Sequence, residues 1–129
     1  MRPGYLILIN CENEHEIKTR SGRIFYIDKG LYVYVGSGGN NPLVRVFRHL
    51  YNYSKYKNFW HIDYLAEVCK PIDAIILSKD EKELARILST YFTGVKSFGS
   101  TDDKLNETHL FKIESLLEFF LIVRILSGG

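Results

Sequence analysis

The stretch Gly30-Leu31-Tyr32-Val33-Tyr34-Val35-Gly36-Ser37-Gly38, followed by Arg45, Arg48 and His49, decides the fold. It reads as an alternating strand, a glycine turn and then a helix carrying basic groups. Tyr32 and Tyr34 are two apart, so both hydroxyls leave the same strand face. Arg45 and His49 are four apart, so they share a helix face. A layout of this kind gathers phenols, a guanidinium and an imidazole at one point. Phosphodiester chemistry uses such groups, because it needs a proton acceptor for the nucleophile and cations for the charge that builds on phosphorus.

Before this stretch, Tyr5-Leu6-Ile7-Leu8-Ile9 is a short apolar run of the kind that forms a buried strand. Polar residues from Glu12 to Glu16 break it. Ile17 to Thr19 and Arg23 to Ile27 flank Ser21-Gly22 and predict a hairpin. Lys29-Gly30 then turns the chain into the strand Leu31 to Val35. The first third is therefore expected to be a small antiparallel β-meander.

After the glycine turn, Asn41 suits a helix N-cap and Pro42 the first helical position. Leu43, Val46, Phe47 and Leu50 repeat at helical spacing, with Arg45, Arg48 and His49 off that stripe. A short helix is expected over His61 to Val68, with Ile62 and Leu65 inward, and a strand over Ile72 to Leu77. Ser78 or Asp80 caps a helix from about Asp80 to Tyr91, with Leu84, Ile87, Leu88 and Tyr91 on its apolar side and Gly94 as its stop. A loop over Ser97 to Glu107, a strand over His109 to Ile113 and a final helix over about 114–127 complete one domain spanning residues 1–129. The fold class is α+β, a small mainly antiparallel sheet flanked by helices.

Composition narrows the partners. The chain has 129 residues, 46% hydrophobic and 25% charged, which is ordinary for a soluble globular domain and excludes a disordered chain. Net charge is only +2, but no acidic residue falls between Asp28 and Asp63, where Lys29, Arg45, Arg48, Lys55 and Lys57 lie. That is a local positive field in a nearly neutral protein. Tyr51, Tyr53, Tyr56 and Phe59 interleave with Lys55 and Lys57; such a mixture either stacks on bases while lysines hold phosphates, or is a tyrosine-rich surface loop. Cys11 and Cys69 have no metal-type spacing and are read as reduced thiols, with a single disulfide as the alternative. No apolar run is long enough to span a bilayer and the first residues do not form a signal peptide, so a cytoplasmic protein without a membrane partner is expected.

The motifs also resemble a family. Tyr34-Val35-Gly36 matches the second half of the GIY-YIG nuclease motif. The wider pattern Gly30-x-Tyr32-x-Tyr34-Val35-Gly36-Ser37, then Arg45-x-x-Arg48-His49, then Trp60-His61-Ile62-Asp63-Tyr64-Leu65, resembles the Uri-type, largely archaeal branch of that superfamily. So do Glu81-Lys82-Glu83-Leu84-Ala85 and the segment from Phe98 to Phe111. The resemblance covers about residues 3–112.

It implies a GIY-YIG-like fold and a DNA endonuclease using Mg²⁺ or Mn²⁺. Tyr34 takes the second motif tyrosine, where cations would lower the pKa of an exposed phenol. Tyr5, after Pro3-Gly4, is favoured for the first, with Tyr32 kept as a nearby second phenol. Arg45 is implied as the arginine on the scissile phosphate, His49 as its assistant, and Arg48 and His61 as further substrate contacts beside Lys55 and Lys57. Asp63 either reaches the site or bonds to His61. Glu81 is implied as the metal ligand, with Glu83 its rival; a carboxylate in a first helical turn also favours the helix dipole with no metal at all. The relatives place cysteines near Lys82, Asp103 and Leu105 that with a histidine like His109 suit a structural zinc. This chain lacks them, so no structural zinc is expected, His109 is read as a capping or core residue, and Asp102 and Asp103 are expected to tie the loop to amides or basic groups.

Two other classes stay open: a non-catalytic nucleic-acid-binding module with the same fold, and a protein-interaction domain using the C-terminal helix. That helix is apolar nearly all round from Leu116 to Leu126. Part is expected to pack on the sheet and part to meet another chain, most simply in a symmetric homodimer; burial within the monomer is the alternative.

Overall fold

Strand β1 (Gly4–Cys11) carries the apolar run through the interior, buried on both faces along nearly its whole length. A strand covered on both sides needs no polar alternation, and this one has none. The computed structural model describes residues 2–37, 41–51, 61–100 and 103–127. Within them follow β2 (His15–Lys18), β3 (Ile24–Ile27), β4 (Gly30–Ser37), α1 (Pro42–Tyr51), α2 (His61–Ala66), β5 (Lys70–Ile76), α3 (Glu81–Tyr91), β6 (Leu110–Ile113) and α4 (Leu116–Ser127). The α+β class read from the sequence is the class observed.

Pairing differs from the expected meander. β1 skips its sequence neighbours and pairs antiparallel with β4, from Gly4 opposite Ser37 to Cys11 opposite Gly30. The main sheet runs β5-β1-β4-β6, and β2 with β3 forms a separate two-stranded ribbon. The ribbon turns through Gly22 at φ +89°, where a side chain would be strained. β5 lies at the sheet edge, where Pro71 leaves no ladder donor missing from the interior.

Strand parity sorts the core into two layers. Tyr5, Ile7, Ile9, Tyr32 and Tyr34 face one way and pack with Ile17, Phe25 and Ile27 of the ribbon, Val46 of α1, Ile62 and Leu65 of α2, and Phe98. Leu6, Leu8, Val33 and Val35 face the other way, against Leu84, Ala85 and Leu88 of α3 and Phe119, Ile122 and Leu126 of α4.

Several local expectations need correction. Cys11 and Cys69 are not free thiols; they form a disulfide that ties β1 to the turn after α2. α2 ends at Ala66, because Val68 and Cys69 both donate to Leu65 O and tighten the chain into a turn. α3 ends at Phe92, whose extended backbone caps it, rather than at Gly94; Gly94 instead bridges Phe111, and a Cβ there would sit 2.0 Å from Thr108 Cγ2. Of the two candidate caps for α3 the structure uses Asp80, which accepts from Glu83 N. Leu43 and Tyr91, expected on apolar stripes, are exposed because each sits at a helix end beyond the reach of the sheet. Asn41 caps α1 as expected, accepting from Val44 N.

Candidate active site

β1 begins, β4 ends and α3 begins at one end of the sheet. Tyr5 and Gly36 face each other there as a cross-strand pair. The Tyr5 ring lies flat over Gly36: a Cβ at residue 36 would come within 2.2 Å of Tyr5 Cζ. The glycine is therefore the seat of the phenol. The Tyr5 hydroxyl reaches across to α1 and meets His49 Nε2 at 2.8 Å. Both side chains are inside the protein, Tyr5 at 3% and His49 at 1% exposure. Burial pushes the His49 imidazole down to about 4, with Asp63 pulling the other way and Arg48 and Arg45 adding to the fall. His49 is thus neutral at pH 7. Burial also holds the Tyr5 phenol far above its ordinary value of 10.0, Arg45 opposing and Glu81 reinforcing.

Tyr34, two strand positions before Gly36, is 7% exposed and packs edge-on against Phe98. It was expected on an open face with its pKa lowered by cations. Burial does the reverse and raises it well above 10.0, with Tyr5, Glu81 and Asp63 adding to the rise and Arg45 alone pulling down. The ring lies against Gly99, whose φ of +72° needs glycine and whose Cβ would meet Tyr34 Cε1 at 2.9 Å.

Arg45 Nη1 donates to Ser37 O at 2.7 Å, which holds the guanidinium at the end of β4. Since Arg45 and Glu81 act on both phenols, Tyr5, Tyr34, Arg45, His49 and Glu81 share one neighbourhood. Glu81 opens α3 beside Gly4, where a Cβ would lie 3.0 Å from Glu81 N. Its carboxylate is 28% exposed and sits 3.6 Å from His109 Nδ1.

Among the described residues, the other expected contacts are each held in a hydrogen bond of their own. Tyr32 shares the Tyr34 face but lies further from Gly36, and its hydroxyl donates to Asp28 O within its own turn. Arg48 is engaged by Asp63, Nη2 to Oδ2 at 2.7 Å, in a largely buried pair. Asp63 therefore bonds to Arg48 and not to His61. His61 Nδ1 accepts from Gly99 N at 2.8 Å, and its ring packs tilted against Phe25 and Phe98. Burial, helped by Arg23, lowers its pKa. Lys55 and Lys57, with Tyr53, Tyr56, Phe59, Trp60 and Asp102, lie outside the described residues.

Comparison with known families matches residues 4–124 to the domain of unknown function DUF123. The chain belongs to this family. No curated protein and no solved structure matches it. The DUF123 match runs into α4.

Gly99 escaped the sequence reading, and the partner of Asp63 was misplaced. Asp63 ends the acid-free stretch and lies in the Trp60–Leu65 motif, but neither signal points to Arg48 as its partner. Asp103 accepts from Leu105 N, Asn106 N, Asn106 Nδ2 and His109 Nε2, which hold its carboxyl below the usual range despite burial. This meets the expectation that Asp103 ties the loop to its surroundings. Gly99 marks where the loop touches Tyr34. Among the described residues no group of three or more His, Cys, Asp or Glu side chains is placed to hold a metal ion. A magnesium ion that keeps most of its waters needs only one or two carboxylates, and the partly exposed Glu81 fits that demand.

Proposed function

We propose that this domain is a divalent-metal-dependent endonuclease that hydrolyses phosphodiester bonds in DNA. The observation that carries the proposal is the Tyr5–His49 hydrogen bond with Arg45 and Glu81 in electrostatic reach. The GIY-YIG resemblance supports it, since Tyr34-Val35-Gly36, Arg45 and Glu81 all meet at this end of the sheet.

In this proposal Arg45 forks onto two oxygens of the scissile phosphate. Tyr5 stays protonated and orients the attacking water. As the water gives its proton to the Tyr5 oxygen, the phenol passes its own proton to neutral His49. A bound phosphodiester places negative charge beside His49 and raises its basicity in step. Tyr34, also buried, is a neutral donor on the same sheet face. Glu81 would hold the Mg²⁺ or Mn²⁺, which when bound stabilises the leaving oxygen. Lys55, Lys57 and the rest of the acid-free stretch are proposed to grip flanking phosphates.

Burial of both phenols favours a second reading, a nucleic-acid-binding module without catalysis. Incubation with single-stranded, duplex and branched DNA, with Mg²⁺, Mn²⁺ or chelator, separates the two. Cleavage that needs the metal supports the enzyme; salt-sensitive binding with no cleavage of any DNA supports the module. A cytoplasmic setting is proposed with the activity. No helix among the described residues is long and apolar enough to cross a membrane. The outward side of α4, with Leu117 at 66% and Phe120 at 64% exposure, is proposed as the contact with a second copy.

A further inference from the structure

Ser97 to Gly99 cross the phenolic face in a backbone that is costly to hold. Ser97, at φ +66°, is the one non-glycine residue with positive φ among the described residues, and Gly99 follows at φ +72°. Between them Phe98 is fully buried, its ring 5.0 Å from Phe25, 5.4 Å from His61 and 6.3 Å from Tyr34. The N–H groups of Ser97 and Phe98 donate to backbone carbonyls, Glu107 O and Val95 O. The Gly99 N–H differs: it donates to a side chain, His61 Nδ1, at 2.8 Å. Gly99 in turn covers Tyr34, where a Cβ would lie 2.9 Å from Cε1 and 3.4 Å from the hydroxyl. A backbone N–H can only donate, so Nδ1 presents its lone pair and the neutral ring carries its proton on Nε2. A proton added at Nδ1 would set two donors against one another.

We propose that His61 is a proton-operated latch: neutral, it holds Gly99 over the Tyr34 phenol, and protonated, it releases Gly99 and opens the Tyr34 hydroxyl to solvent. His61 is then a positioning residue that acts on Tyr34 through Gly99. The inference goes beyond the endonuclease reading and does not depend on it. Strained backbone persists only where its surroundings hold it, so loss of one holding bond biases the Gly99 end of the segment toward relaxing, while Phe98 stays packed. The charged group that acts on His61 is Arg23, which lies over the Phe25 ring and opposes a second positive charge. Tyr34 behind the segment stays protonated, because burial raises its pKa. On α2 itself, Asp63 is committed to Arg48 and the Tyr64 hydroxyl to Arg20 N. On β2, Glu16 and Lys18 lie on the exposed face, and His15 is at the Cys69 end of α2. Burial first, and Arg23 second, lower the His61 pKa from 6.5. The latch is therefore shut at pH 7 and opens only as pH falls below 6.5 and through the lowered value.

The test is NMR on the full chain, titrated from about pH 7.5 to about pH 5 across the imidazole range. At the upper end the His61 proton is expected on Nε2, with scalar coupling between the Gly99 amide nitrogen and His61 Nδ1 across the hydrogen bond. As His61 takes its second proton, that coupling should vanish and the protection factor of the Gly99 amide should fall by about five- to tenfold, the worth of one hydrogen bond. The Tyr34 ring signals should move with the same midpoint, while the amide of Leu88, buried in α3, keeps its protection. His61→Asn sets an amide oxygen where Nδ1 stands, an acceptor at every pH, so Gly99 should stay protected and the Tyr34 signals flat. His61→Leu should leave Gly99 unprotected even at the upper end. If either variant fails to fold, the wild-type midpoints decide. A proton on Nδ1 at neutral pH overturns the latch. So does a ring that stays neutral down to the lower end, Gly99 protection that holds while His61 titrates, or a Tyr34 response that survives in folded His61→Asn. The readouts involve no DNA, so they stand or fall apart from the endonuclease reading.

Discussion

The two faces of the main sheet are made by the same two central strands and are opposite in kind. On one, β1 and β4 present Leu6, Leu8, Val33 and Val35 to the aliphatic sides of α3 and α4. On the other they present Tyr5, Tyr32 and Tyr34 among apolar neighbours, with His49 among the polar groups buried beneath α1. A purely apolar layer holds helices in place and is indifferent to pH. A layer with buried phenols and an imidazole spends part of its burial on desolvating polar groups, which is tolerable only where they satisfy one another. The difference teaches that parity along two strands suffices to separate an aliphatic layer from one that holds phenols and an imidazole.

The sharpest break of this comparison is a substitution on each side. Arg45→Ala and Glu81→Ala should each lower metal-dependent DNA cleavage by about 10²–10³-fold while both variants still fold. Leu88→Ala, on the aliphatic side, should cost about 2–5 kcal/mol of stability and leave cleavage by the folded fraction intact. If the arginine and glutamate variants cleave normally, the phenolic face is scaffold as well.

Gly36→Ala comes next. The new methyl must displace the Tyr5 ring, so a loss of about 1–3 kcal/mol in urea unfolding is expected, together with loss of the Tyr5–His49 bond. An unchanged midpoint would mean that the ring is not seated as described.

A third effect is tied to pH. His49 is held near 4 in the fold against 6.5 when unfolded, so the unfolded chain binds the extra proton between those values. Stability from this group is complete above about pH 6.5 and is lost as pH falls through about 4, by at most about 3 kcal/mol. Urea unfolding of wild type and His49→Gln across that window should show the slope in the first and its loss in the second. Equal slopes would assign the acid sensitivity elsewhere.

The smallest effect on stability is expected where the aliphatic layer turns outward. Phe120→Glu on the solvent side of α4 should change stability by only about 0.5 kcal/mol. Light scattering should nonetheless find it a monomer where the unaltered chain is a dimer. A wild-type monomer at high micromolar concentration would end the dimer proposal.

Elements with strong local period were legible from the chain alone. The run Tyr5–Ile9, the parity of Tyr32 and Tyr34, and the Asn41-Pro42 helix start each encode structure within a few residues. The partner of each strand does not: nothing near Ile17 or Phe25 announces that their hairpin leaves the main sheet. Tyr34, Arg45 and Glu81, singled out by the motif resemblance, lie toward the Gly36 end. The motifs did not reveal that burial would outweigh Arg45 at both phenols, because desolvation depends on what α1, α2 and the Phe98 loop lay over the rings. Asp63 and Asp103 act through Arg48 and His109, partners 15 and 6 residues away, and no short pattern marks such pairs.

The Cys11–Cys69 bond joins residues 58 apart and so makes a covalent ring of the ribbon, β4, α1 and α2. A single backbone cut anywhere inside that ring leaves one molecule, not two. The piece bearing Tyr5 stays tethered to the piece bearing Glu81. A protease-nicked domain would thus run intact on a non-reducing gel and retain every group of the phenolic face, while a reductant would divide it into fragments that share the site between them.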